Sequence, residues 1–239
     1  MSPAPVSAAP PQRVAWIDRA RGVALLAMIV YHFSFDLALF GVVRWDVGGA
    51  PHWRGFAILI AASFIALSGL SLALSARGGI RWRAFLRRLA LLVAAAAAVT
   101  VGTWFAMGTP VTFGILHAIA LFSVLALPFL RTPPWVPAVV AVVVFLVPFA
   151  VQSEALSALW LYPLGLDPTP IPSFDYEPLF PWFAAMLAGI AAAPYLPTPR
   201  SPVAPDLLAR MGRHSLAIYL LHQPILFGLL LGARQLALL

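Results

Sequence analysis

Seven runs of apolar residues, each close to the length that crosses a bilayer, limit what this chain can fold into. At 1.5 Å of rise per residue, about 20 helical residues cover the roughly 30 Å hydrocarbon core. The runs fall at approximately 22–43, 55–76, 84–107, 113–131, 135–152, 178–195 and 214–233. Of the 239 residues, 62% are hydrophobic and only 10% charged, whereas a soluble domain carries about a quarter charged residues. The sequence therefore predicts an all-α, polytopic integral membrane helical bundle of about seven transmembrane helices. Residues 13–239 form the membrane domain. Residues 1–12, MSPAPVSAAPPQ, read as a disordered leader without the basic start of a signal peptide. Between the fifth and sixth runs, the amphipathic first half of SEALSALWLYPLGLDPTPIPSFDYE reads as an interfacial or re-entrant helix or as a loop.

The charges orient the bundle. All 15 basic residues are arginine, against eight acids, for a net +7. In a soluble protein that surplus would suggest nucleic acid; here the arginines flank apolar runs, where positive charge stays cytoplasmic. A cytoplasmic N-terminus places 12 arginines inside and leaves Arg44, Arg54 and Arg234 outside. The expected partner is thus the lipid bilayer and not nucleic acid. Asp46, Glu154, Asp167, Asp175 and Glu177 fall on the outer side. With no cysteine, disulfides, thiolate metal sites and cysteine nucleophiles are excluded, and no metal centre is expected.

Ionisable groups inside hydrocarbon cost at least a few kcal/mol, so each one is a functional hypothesis. The first segment concentrates them: IDRARGVALLAMIVYHFSFDLALF carries Asp18 and Arg21 at its inner mouth, His32 near mid-depth and Asp36 one turn beyond. Residues four apart share a helix face, so Asp36 could hold the His32 imidazole in one tautomer, as a general base requires. The competing reading is a structural polar pair tying helices together.

The other histidines divide similarly. His52, beside Trp53 in the outer loop GGAPHWRGF, is either solvated or a base at the membrane face. His117 lies one turn inside the fourth segment and could line the same cavity. His214, opening the last segment, reads as an interface or cap residue. His222, followed by Gln223 and Pro224, fits a cofactor channel or helix packing equally. The stretch RGGIRWRAFLRR holds Arg77, Arg81, Arg83, Arg87 and Arg88; it suits topology and anionic lipid, and also phosphate groups. Asp175, Tyr176 and Glu177 precede the sixth segment as an acidic rim suited to a polar acceptor, although Tyr176 and Trp182 also fit an interfacial belt.

At IDRARGVALLAMIVYH, the Arg21-Gly22 pair and His32 eleven positions after the arginine resemble the opening helix of transmembrane acyltransferases. The stretches FGILHAIALFSVLALPFLR, FDYEPLFPWFAAMLAGI and GRHSLAIYLLHQPIL extend the likeness. Together they resemble the bacterial branch of the heparan-alpha-glucosaminide N-acetyltransferase catalytic-domain family. The resemblance implies a multi-pass enzyme of the bacterial cytoplasmic (inner) membrane. It would take acetyl-CoA or another acyl-CoA from the cytoplasm and pass the acyl group to a periplasmic or extracellular glycan-like acceptor. It implies His52 or His32 as the base, with Asp36 orienting His32. Arg21, Arg81, Arg83, Arg87, Arg88 and His222 would be on the acyl-CoA side, and Trp53, His117, Asp175 and Glu177 on the acceptor side. The family core has ten or more helices, so part of the scaffold is absent or supplied by a partner; a homo-oligomer stays open. Two readings from other classes compete: a proton-coupled small-molecule transporter with His32 and Asp36 as its relay, and a catalytically inert membrane scaffold.

Overall fold

In a computed structural model, residues 14–197 and 206–236 are described; the expected leader over 1–12 lies outside them. Among the described residues the order is α1 (Ala15–Leu39), α2 (Pro51–Ser75), α3 (Trp82–Met107), α4 (Ile115–Leu125), α5 (Trp135–Ala150), α6 (Leu179–Ala192), α7 (Leu207–Arg213) and α8 (Ser215–Gln235). These residues form no strand.

Each expected apolar segment contains a helix, but the helices differ in reach. α1, α2, α3 and α8 are long and apolar enough to cross a membrane; α4, α5 and α6 are shorter. Four of the seven expected segments thus hold a helix of full spanning length and three hold a shorter apolar one, and proline marks the change of helix type at α4 and α6. After α4 the chain tightens into a 3-10 turn over Leu127–Arg131, with Pro128 in its first turn, because proline cannot donate to the helical ladder. At the start of α6, Phe180 is extended (φ −101°, ψ 122°), as expected for a residue before proline. The stretch between α5 and α6 forms 3-10 turns over Glu154–Leu156 and Leu159–Leu164 in place of an interfacial α-helix.

The core centres on α4. Ala118, Phe122 and Ala126 are fully buried, packed among Ile65 of α2 and Met186 and Leu187 of α6. Glycines bring backbones together at two crossings. A Cβ on Gly22 of α1 would strike the Leu208 carbonyl, and one on Gly212 of α7 would strike the Asp18 carbonyl. α2 and α6 meet the same way through Gly69 and Gly189. Outside, large apolar side chains such as Phe105, Leu146 and Leu229 are exposed, which fits a surround of hydrocarbon and not water.

One end of the bundle is rich in arginine and closed by polar contacts. Asp18, 3% exposed, meets Arg21 of its own helix and Arg213 of α7 at 3.3 Å each. Arg77 donates to the Ala193 carbonyl at 2.7 Å, and Trp16 to that of Pro197 at 2.8 Å. Asp206 caps α7 by accepting the Ala209 amide at 2.9 Å and pairs with Arg19 at 2.6 Å; these two contacts hold its carboxyl below the usual range. The opposite end gathers the α3–α4 loop and the loop before α6, joined by a bridge between Phe113 and Tyr176.

Candidate active site

α1 and α8 carry polar side chains into each other. Asp36, fully buried, accepts a hydrogen bond from Gln223 Nε2 at 2.8 Å. The His32 and His222 rings lie 4.9 Å apart, centre to centre, inclined by 60°. His222 Nδ1 is 2.6 Å from the Tyr219 carbonyl oxygen. A carbonyl only accepts, so Nδ1 carries the hydrogen and Nε2 keeps its lone pair. Among the described residues, Asp36 Oδ2, Gln223 Oε1 and His222 Nε2 are buried without a hydrogen-bond partner. Three unsatisfied acceptors in one cluster are costly in a low-dielectric interior. Such a site suits a ligand or solvent that brings hydrogen-bond donors.

This geometry revises the pairing read from spacing. Asp36 shares a face with His32, yet one carboxylate oxygen is held by Gln223 and the other meets no partner among the described residues. A short aspartate side chain does not reach back over a full turn when an amide on the packed helix lies nearer. His222 lies against His32, at mid-bundle. Beside the pair, an apolar groove of about 350 Å³ runs between α1 and α8, lined by Ile29, Ile218, Leu221, His222 and Ile225.

An aromatic path leads from this pair to His52. Tyr31 lies against His32 (5.5 Å) and Trp53 (6.1 Å), and Trp53 against His52 (5.8 Å). His52 is exposed in the first turn of α2. His117 is tied into the scaffold: the Gly114 amide donates to Nδ1 at 3.3 Å. The Thr100 hydroxyl, which gives its own hydrogen to the Val111 carbonyl at 2.6 Å, lies 3.2 Å from Nε2. Both ring nitrogens of His117 are thus engaged, one with α3 and one with the turn that opens α4.

Asp175 accepts the Ile115 amide at the N-terminus of α4 (3.1 Å) and lies 3.4 Å from the Tyr219 hydroxyl. Gly114 makes this possible, because a Cβ there would collide with the Asp175 carboxylate. Glu177 is 9% exposed, and its Oε2 meets no partner among the described residues. Burial, reinforced by the neighbouring Asp175 carboxylate, pushes the Glu177 carboxyl well above its usual range.

At the arginine-rich end, a cavity of about 180 Å³ is lined by Ser75, Arg81, Phe85, Arg88 and Leu130 among others. Arg21 donates to the Ser71 hydroxyl and lies within electrostatic reach of Arg88. Arg83 and Arg87 are exposed and do not line this cavity. The arginine run thus divides: Arg81 and Arg88 turn toward a pocket, and Arg83 and Arg87 lie on the surface.

Three contributors were not singled out as site residues from sequence: Tyr219, Gln223 and Thr100. The first two carry a signal, since Tyr219, His222 and Gln223 recur at helical spacing on a face otherwise apolar. Thr100, one threonine in an alanine-rich run, carries none.

The family model described as "Heparan-alpha-glucosaminide N-acetyltransferase, catalytic" matches residues 13–224. No curated protein and no solved structure matches the chain.

Proposed function

Starting from the chain's membership of the heparan-alpha-glucosaminide N-acetyltransferase catalytic family, which makes it a membrane acetyltransferase, we propose that it transfers an acetyl or other acyl group from cytoplasmic acyl-CoA. The acceptor is a sugar or other polar group on the outer face of a bacterial inner membrane. The observation that carries the reading is the group of His32, His222, Asp36 and Gln223 where α1 meets α8, with three buried acceptors unsatisfied among the described residues. It lies on the same helix as an arginine-bordered mouth. Arg21 and His32 are eleven residues apart, about 16 Å of helical rise, a span suited to an extended pantetheine arm.

In this mechanism Arg81, Arg88 and Arg21 hold the phosphates of acyl-CoA, and Ser75 offers a hydrogen-bonding hydroxyl. Arg83 and Arg87 serve topology and anionic lipid. The acceptor approaches from the opposite end, past Trp53 and the exposed His52. His32 takes the proton from the attacking amine or hydroxyl. The acceptor bonds to the acyl carbon, the carbon–sulfur bond breaks, and the thiolate recovers the proton. General base assistance of this kind is worth about 10² to 10⁴ in rate. Bringing two substrates to one point adds an entropic advantage.

The test is acetyl transfer to glucosamine in proteoliposomes supplied with acetyl-CoA. The expected result is CoA release that requires acetyl-CoA and falls at least about 10²-fold in His32→Ala. Undiminished transfer in a His32→Ala, His52→Ala double variant would overturn the base assignment. A proton-coupled carrier would instead move solute without CoA dependence, and acetyl-CoA would leave its melting temperature unchanged.

A further inference from the structure

Resting on the acyl-transfer reading above, we propose that His222 forms with His32 a two-imidazole proton relay in which Nε2 of His222 holds the acceptor's proton between attack and departure of the thiolate. His222 acts through His32 and is a positioning and relay residue, a role separate from acyl-CoA binding.

The geometry is specific. The hydrogen bond from Nδ1 to the Tyr219 carbonyl fixes the tautomer, so the lone pair of His222 sits on Nε2. That atom is buried and unpartnered among the described residues, in a ring 4.9 Å from the ring of His32. An isolated imidazolium is expensive in a membrane bundle. A second imidazole with a free lone pair spreads that charge, and the Nδ1–H bond to the Tyr219 carbonyl strengthens as the ring becomes positive. One turn beyond His32 on α1, Asp36 has one carboxylate oxygen without a partner among the described residues, and Gln223 fixes its other oxygen at 2.8 Å. The titratable groups around the pair are Tyr31 from α1, Tyr219 from α8 and Asp175 from the loop before α6, with Asp36 one turn further along α1.

The step balances without an oxidant or metal. The acceptor's N–H or O–H bond breaks as its electron pair bonds to the acyl carbon. The proton passes to His32 and on to Nε2 of His222. When the carbon–sulfur bond breaks, the proton returns through His32 to the thiolate, giving acylated acceptor and CoA thiol. A relay suits substrates that arrive from opposite ends, because the atom losing the proton and the sulfur receiving it lie on different sides of the reacting carbon.

The experiment compares wild type with His222→Gln, which retains an amide but cannot titrate, and with His222→Asn as a second variant should the first not fold. Acetyl transfer from acetyl-CoA to glucosamine is measured in mixtures of light and heavy water. The expected result is kcat lowered about 10²-fold with KM for acetyl-CoA unchanged, and a wild-type proton inventory that is curved and becomes linear in the variant. A variant with wild-type kcat, or one changed only in KM for acetyl-CoA, would overturn the relay. A second readout needs no turnover: nitrogen-15 NMR of histidine-labelled protein. The Nε2 resonance of His222 should move with pH in step with His32 and lose that coupling in His32→Gln. Independent titration would overturn the relay. Absence of transfer by the wild type, with the coupling intact, would instead remove the acyl-transfer reading and leave the proton-sharing pair standing.

Discussion

α1 carries two buried carboxylates, and their surroundings differ. Asp18, at the arginine-rich end, has both oxygens in ion pairs, one to Arg21 and one to Arg213. Asp36, eighteen residues further along, gives one oxygen to an amide and leaves the other without a partner among the described residues. A satisfied buried charge holds helices in place. An unsatisfied one, beside two histidines, is where a substrate or a proton is expected. The glycine contacts agree with this division, since Gly22 and Gly212 lock α7 onto α1 close to Asp18.

The contrast is broken most strongly by exchanging which end is damaged. His32→Ala should lower acetyl transfer about 10² to 10⁴-fold while the melting temperature hardly moves; loss of fold together with activity would show the two ends to be one structural unit. Asp18→Ala should do the reverse, leaving two arginines without their shared carboxylate. It should lower stability by about 1–3 kcal/mol, read as a lower melting temperature in detergent, with the activity of the folded fraction kept. Gln223→Leu probes the Asp36 side more gently. It removes the side-chain hydrogen bond that Asp36 accepts from Gln223, and should reduce kcat about tenfold, a tenth of the lower bound for losing a base, with KM for acetyl-CoA unchanged. An unaltered kcat would show the Asp36 bond to be a packing contact.

The smallest effect concerns Glu177, a third buried acid, in the loop before α6. Its carboxyl is held above the usual range by burial and by Asp175, so the folded chain binds more protons than the unfolded chain once pH exceeds about 4.3. Stability from this group therefore falls as pH rises from there toward the elevated folded value. Glu177→Gln should raise the melting temperature at pH 8 and leave it nearly unchanged at pH 4. An equal shift at both values would show that burial of the charged form is not what it relieves.

Much of the fold is legible in the sequence, because hydrophobic run length responds directly to bilayer thickness and needs no partner to be read. The ends of α4 and α6 are less legible, since Pro128 and Pro181 change the local helix type without lowering hydropathy. α7 is hidden for the opposite reason: seven residues with two arginines make no hydrophobic run, and the helix is held by Gly22, Gly212 and the Asp206 cap. At the site, His32 and Asp36 stand out as ionisable residues in hydrocarbon. The partner of Asp36 is 187 positions away, and no local pattern reports a contact at that separation. The arginine run is legible as a charge cluster only; which members face the cavity depends on how α3 is rotated against α2.

The most direct test of acyl transfer between the two ends of α1 is a cryo-EM structure of the protein with acetyl-CoA bound. The expected density has the CoA phosphates against Arg81 and Arg88 and the thioester within reach of His32 and His222. Acetyl-CoA bound with its thioester remote from both histidines, or no bound acetyl-CoA at saturating concentration, would contradict it.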